Sequence, residues 1–240
     1  MRNGWSFGAA LGLVLGLSNV ASAGVIASVV EIDPPGAALL VGPVAFAANN
    51  DNTDVSLEDG AENGFLAVKD FNAASPIDIV FGVANSGGTT EYASLELAVN
   101  STGLTWTDYR FELGFGTRGN FVRSGDDGLD FDTPDRDPAA SAVVVGTPFS
   151  SGNHDDDTIE WKCGSVPHGS VAFFTFSFDV PDADGIPEFA WSGDTGYQFT
   201  LRQYPGVAPD EGGDPVIPEP SSLWLLGLGG VAVFLKRRQR

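Results

Sequence analysis

A chain of 240 residues with 31 glycines, 15 prolines, one cysteine and a formal net charge of −20 is long enough for one sizeable core. It has no internal disulfide to hold that core together. Its negative field makes nucleic acid and anionic membrane surfaces poor partners and leaves cations, basic proteins and neutral glycans.

The chain opens with Met1-Arg2-Asn3, a short positive start, and residues 7–20 are apolar or small, including Leu11, Leu13, Val14, Leu15 and Leu17. Ala21-Ser22-Ala23 follows as an A-x-A cleavage site, so residues 1–23 read as a secretory signal peptide removed by signal peptidase, with Ala21 and Ala23 as the recognised pair. An uncleaved membrane anchor would need a longer apolar run. Five of the 12 basic residues lie in this segment and the far C-terminus, so seven remain against all 32 acidic ones, a net −25 for the exported body. Solubility at a crowded exterior is the plain explanation of that charge.

Residues 24–207 read as strands with almost no helix. Val25, Ile26, Val29 and Val30 open a β-prone run that Asp33-Pro34-Pro35-Gly36 stops, and residues 37–48 are apolar but irregular. Residues 49–54 form a polar loop. Ile77, Ile79, Phe81 and Val83 then share one face, as do Ala93, Leu95, Leu97 and Val99, with Asn85-Ser86-Gly87-Gly88 as the turn between them. Leu104 and Trp106 keep one phase, whereas Tyr109, Phe111, Leu113 and Phe115 keep the other. That slip at Thr107-Asp108 predicts a β-bulge or a strand passing between sheets. Ile159, Trp161 and Cys163 share a face, Phe174, Phe176, Phe178 and Val180 share another, and Tyr197, Phe199 and Leu201 make the last strand. No window shows helical periodicity and no solenoid-length repeat is visible. The expected fold is all-β, an antiparallel β-sandwich of jelly-roll type.

Residues 208–217 are an acidic, Pro- and Gly-rich linker. Beyond it residues 223–235 carry no charge. As a helix this stretch reaches about 20 Å, short of the roughly 30 Å of a hydrocarbon core. It spans only if its ends snorkel, with Trp224 at one interface and Lys236, Arg237, Arg238 and Arg240 as the cytoplasmic basic anchor. A plain short membrane anchor is one reading. Pro218-Glu219-Pro220, the short apolar run and the terminal basic cluster together resemble the PEP-CTERM sorting signal over residues 218–240. That resemblance implies recognition and removal by an exosortase, transient anchoring in the inner membrane, and a final place at the cell surface or outside the cell.

A second resemblance covers most of the body. Asn100-Ser101-Thr102-Gly103, Trp106-Thr107-Asp108-Tyr109, Asp127-Gly128-Leu129-Asp130-Phe131 and Phe199-Thr200-Leu201-Arg202-Gln203 are similar to a choice-of-anchor domain of the F type. This class implies a surface β-domain and supplies no catalytic residues.

The strongest local chemistry is acidic. Asp126, Asp127, Asp130, Asp132, Asp135 and Asp137 crowd one stretch, and Asp155, Asp156 and Asp157 follow His154. Such carboxylate density suits calcium, the one cofactor considered, although the spacing is not that of an EF-hand. Solvated acidic turns are the alternative. No Gly-x-Ser-x-Gly elbow is present. Cys163, in phase with Ile159 and Trp161, is expected in the core as a small hydrophobe instead of a nucleophile paired with His154 or His168. The two histidines do not make a zinc site, and paired acids for glycoside hydrolysis depend on spacing in space. Trp106, Trp161, Trp191, Tyr197 and Tyr204 are expected mainly as core or rim, with sugar stacking as the alternative. No catalytic residue is expected. The leading function is a non-enzymatic structural or interaction protein of the surface or extracellular matrix. A module binding exopolysaccharide and a secreted hydrolase are the two alternatives.

Overall fold

The computed structural model describes residues 24–45, 48, 63–85, 87–131, 141–144, 146–183, 186–187, 190 and 196–207. The signal peptide, linker and sorting tail lie outside them, as do Asp132, Asp135, Asp137 and Trp191. No helix among the described residues is long and apolar enough to cross a membrane, and residues 223–235 are not among those described.

Among the described residues twelve strands follow one another: β1 (Val25–Asp33), β2 (Ala38–Val44), β3 (Gly64–Phe71), β4 (Ile77–Ala84), β5 (Thr90–Asn100), β6 (Trp106–Phe115), β7 (Val122–Arg123), β8 (Ser141–Val144), β9 (Ser151–Asp155), β10 (Thr158–Lys162), β11 (Val171–Val180) and β12 (Gly196–Val207). A 3₁₀ turn, Arg118–Asn120, links β6 to β7. The seven-stranded sheet runs β1-β4-β12-β6-β10-β9 with β7 on the free end of β6, and the five-stranded sheet runs β2-β3-β5-β11-β8. Every pair is antiparallel except β3 with β5. Parallel neighbours need a crossover between them, and β4 supplies it by passing through the opposite sheet.

The two sheets share one aromatic core. Phe81 stacks on Phe199 at 5.1 Å, Tyr109 on Phe174 at 4.3 Å, and Phe71 meets Trp106 edge-on at 5.3 Å. Such pairs add about 0.5–1.5 kcal/mol each beyond burial. The inward sets Ile77/Ile79/Phe81/Val83, Phe174/Phe176/Phe178/Val180 and Tyr197/Phe199/Leu201 are all buried, as their period of two requires. The expected slip falls where predicted: Trp106 and Tyr109 both point inward, and the β12 register shifts between its pairings with Asp108 and Trp106.

Three expectations change. The irregular apolar stretch after Gly36 forms β2, an edge strand whose Leu39 and Val41 face out. On β5 the face of Leu95, Leu97 and Val99 is the outer one. The register with Phe178, Phe176 and Phe174 turns Tyr92, Ser94 and Glu96 inward. Cys163 is exposed, not a core thiol. β10 ends one residue earlier and Cys163 takes φ 58°, so the alternation that fixed Ile159 no longer governs it.

Candidate functional site

The acidic loops converge. After β7, Ser124 Oγ donates to Asp127 Oδ1 at 2.6 Å, and the same oxygen accepts from Leu129 N at 3.1 Å. Gly128 at φ 81° lets the chain turn there. The turn plants Leu129 and Phe131 in the core and fixes Asp130 between them. Phe131 N donates to Asp156 O at 2.5 Å, Leu113 N to Asp157 O at 3.0 Å and Asp179 N to Asp130 O at 2.8 Å. The β9–β10 turn is thereby docked against the 124–131 loop.

Proximity has an electrostatic cost. Burial, then the charges of Asp157, Asp156, Asp127 and Asp126, push Asp130 up to about 7. Asp157 is pushed up to about 6, again chiefly by burial, with Arg123 opposing and neighbouring aspartates adding. Its Oδ1 is buried without a hydrogen-bond partner. Like charges forced together in a partly dry setting favour the protonated forms. Of the expected calcium ligands, Asp126, Asp127 and Asp130 lie in this cluster, whereas Asp132, Asp135 and Asp137 lie outside the described residues. Among the described residues no three acidic, histidine or cysteine side chains are arranged to hold a metal ion. The described part of the cluster therefore does not fit calcium by itself.

The aromatic candidates for sugar stacking are mostly committed. Trp106 and Tyr197 are fully buried, and Tyr204 is tied at its hydroxyl to Arg110 and Glu112. Trp161 is packed against the core.

With the body's geometry in place, the tail is settled by comparison. Residues 216–239 match the PEP-CTERM protein-sorting motif. The motif implies export and exosortase processing, and it contains Pro218, Glu219 and Pro220. Neither curated proteins nor solved structures give a match to the chain. The PEP-CTERM match spans the tail alone and says nothing of the sandwich.

Within the sandwich, a polar cluster went unread in the sequence. Lys69, Glu96, Gln203 and Tyr109 are all 0% exposed. Lys69 Nζ pairs with Glu96 Oε2 and donates to Gln203 Oε1. Gln203 Oε1 also accepts from Tyr109 OH, and Gln203 Nε2 donates to Glu96 Oε1, both at 3.2 Å. The available signal was the alternation Phe65-x-Ala67-x-Lys69-x-Phe71, which sets a lysine in core phase. The outer faces differ as well. The seven-stranded sheet carries ion pairs, Arg202 with Asp78 at 2.7 Å and Arg110 with Glu160 at 3.2 Å. The five-stranded sheet carries one apolar row, Leu39–Val68–Leu97–Phe173–Val143, in register across all its strands.

Proposed function

We propose that the chain is an exported surface or extracellular-matrix protein whose β-sandwich has a non-enzymatic, interaction role. In this reading the tail anchors the protein transiently in the inner membrane before processing leaves the body at the surface or free of it. The body is then a choice-of-anchor-type β-domain with jelly-roll-like wiring.

The observation that carries the interaction role is the apolar row on the five-stranded sheet. Its end residues Leu39 and Val143 are 62% and 65% exposed, and Phe173 between them is 36% exposed. An apolar row that is open at Leu39, Phe173 and Val143 and closed at Leu97, on an otherwise acidic protein, suits a protein partner better than a glycan, because it offers no polar group to orient hydroxyls. Leu39→Asp with Val143→Asp should leave the sandwich folded and release the processed protein from the surface or matrix fraction into the medium. Unchanged retention of a folded double variant would remove this reading.

The acidic loops remain the place where calcium would act. Asp126, Asp127 and Asp130 do not hold the ion alone, so this reading needs Asp132, Asp135 or Asp137 to complete the set, and the melting temperature should then rise with millimolar calcium beyond the effect of sodium at matched ionic strength. Asp130→Asn with Asp132→Asn should abolish the difference. Equal responses to the two salts would leave solvated acidic turns.

A further inference from the structure

Lys69 is a cation placed where packing would otherwise put an aliphatic side chain. It lies inward on β3 between Ala67 and Phe71, and its Nζ is 5.6 Å from the centroid of the Phe111 ring. From the same sheet Glu96 on β5 reaches it, and from the facing sheet Gln203 on β12 does. The Gln203 amide is gripped at both ends, its oxygen by Lys69 and Tyr109 and its nitrogen by Glu96. A lysine, a carboxylate and a carboxamide thus meet in a site closed to water.

We propose that Lys69 and Gln203 join in an intramolecular isopeptide bond, formed by the folded domain with Glu96 as proton carrier, which ties the two sheets together covalently. Three features of the cluster supply what the reaction needs. The first is a nucleophile: desolvation pushes the Lys69 amine well below the usual lysine range, which favours the neutral amine with its lone pair. The second is an activated acyl group: apart from Lys69, which gives up its donor role to attack, Tyr109 OH donates to Gln203 Oε1 at 3.2 Å, and burial pushes that phenol well above its usual range and so keeps it protonated. The third is a carboxylate in contact with both nitrogens, the one that must lose protons and the one that must gain one.

The step balances without any outside reagent. Glu96 takes a proton from the Lys69 ammonium. The freed pair on Nζ forms a bond to Gln203 Cδ, and the carbonyl electrons move onto Oε1, held by the Tyr109 hydroxyl. Glu96 delivers its proton to Nε2 and then takes a second one from the nitrogen of the new N–C bond. The Cδ–Nε2 bond then breaks with its pair, ammonia leaves, and the carbonyl re-forms. Of the three ammonium protons one stays on the new amide, one departs in ammonia and one rests on Glu96. No atom is oxidised or reduced. Gln203 is the acyl donor in preference to Glu96, since its carbonyl oxygen takes the Tyr109 hydroxyl bond and its leaving nitrogen lies against the Glu96 carboxyl group. Holding the groups in place replaces the external activation that such a condensation needs in water.

The test is peptide mass spectrometry of the full-length protein, denatured after purification in its folded form. The protease must not cut at Arg202, so that Gln203 does not become an amino-terminal glutamine and lose ammonia by cyclising. The expected product is the Lys69 peptide joined to the Gln203 peptide, lighter than their sum by one ammonia, and absent from Lys69→Arg. Recovery of the two peptides separate and unmodified would overturn the proposal. So would a Lys69 peptide joined to the Glu96 peptide with loss of water. In Glu96→Gln that still gives a native near-ultraviolet spectrum, joining should slow roughly a hundredfold or more. Joining at the wild-type rate in that variant would overturn the part assigned to Glu96. The readout is covalent, so it separates from the interaction reading of the outer face.

Discussion

At the scale of single residues, the structure turns on groups whose setting overrides their type. Cys163 is the simplest: exposed and at positive φ just past β10, it should react with an alkylating agent in the native state about as fast as after unfolding. Protection until denaturation would contradict its exposed position. Asp130 and Asp157 make a second case. An unfolded aspartate titrates near 3.9, so carboxyls held at about 7 and about 6 bind protons more tightly when folded. Their contribution to stability is therefore fullest below the unfolded value and is lost as the pH rises through about 6 and then about 7. The melting temperature should fall between about pH 4 and about pH 7, and Asp130→Asn should flatten that slope. A melting temperature that rises across the same window in the wild type, and not in the variant, would reverse the assigned sign.

At the scale of elements, most strands were legible because the sheets alternate cleanly, and the failures have physical causes. β4, β11 and β12 carry more large apolar residues on the buried face than on the other, so their phase is read correctly. β5 misleads because its inner face holds Ser94 and Glu96 while its outer face carries part of an apolar row, and hydrophobicity marks the wrong side. Lys69 shows in its strand's alternation as a lysine in core phase, but its partners come from three further strands over both sheets, and only register brings them together. The convergence of the acidic loops could be posed from the sequence but not answered, since pairing of β6 with both β7 and β10 creates it. Register also makes the β4–β12 pair testable. Asp78, 2% exposed, faces Arg202 across the ladder and accepts from its Nε at 2.7 Å and its Nη2 at 2.8 Å. It takes a further bond from Arg118 N at 2.8 Å. Asp78→Ala leaves a largely buried guanidinium without its carboxylate, with the Arg118 carbonyl as its remaining acceptor, and should cost about 3–5 kcal/mol in urea unfolding. A loss under about 1 kcal/mol would mean that the pair behaves like an exposed one.

At the scale of the whole molecule, the tail's role can be separated from the sandwich. Protein recovered from outside a host that has the exosortase should have lost its C-terminus near Pro218-Glu219-Pro220. An intact Arg240 on such protein would contradict processing at the PEP-CTERM motif. Strand direction adds a consequence for the time before that cut. β12 pairs Leu201 with Leu113, the level at which the acidic loops dock, and runs on to pair Val207 with Trp106. Six further residues of strand cover roughly 20 Å, about two screening lengths in physiological salt. The chain thus leaves the sandwich toward its sorting motif from the end remote from its crowded aspartates.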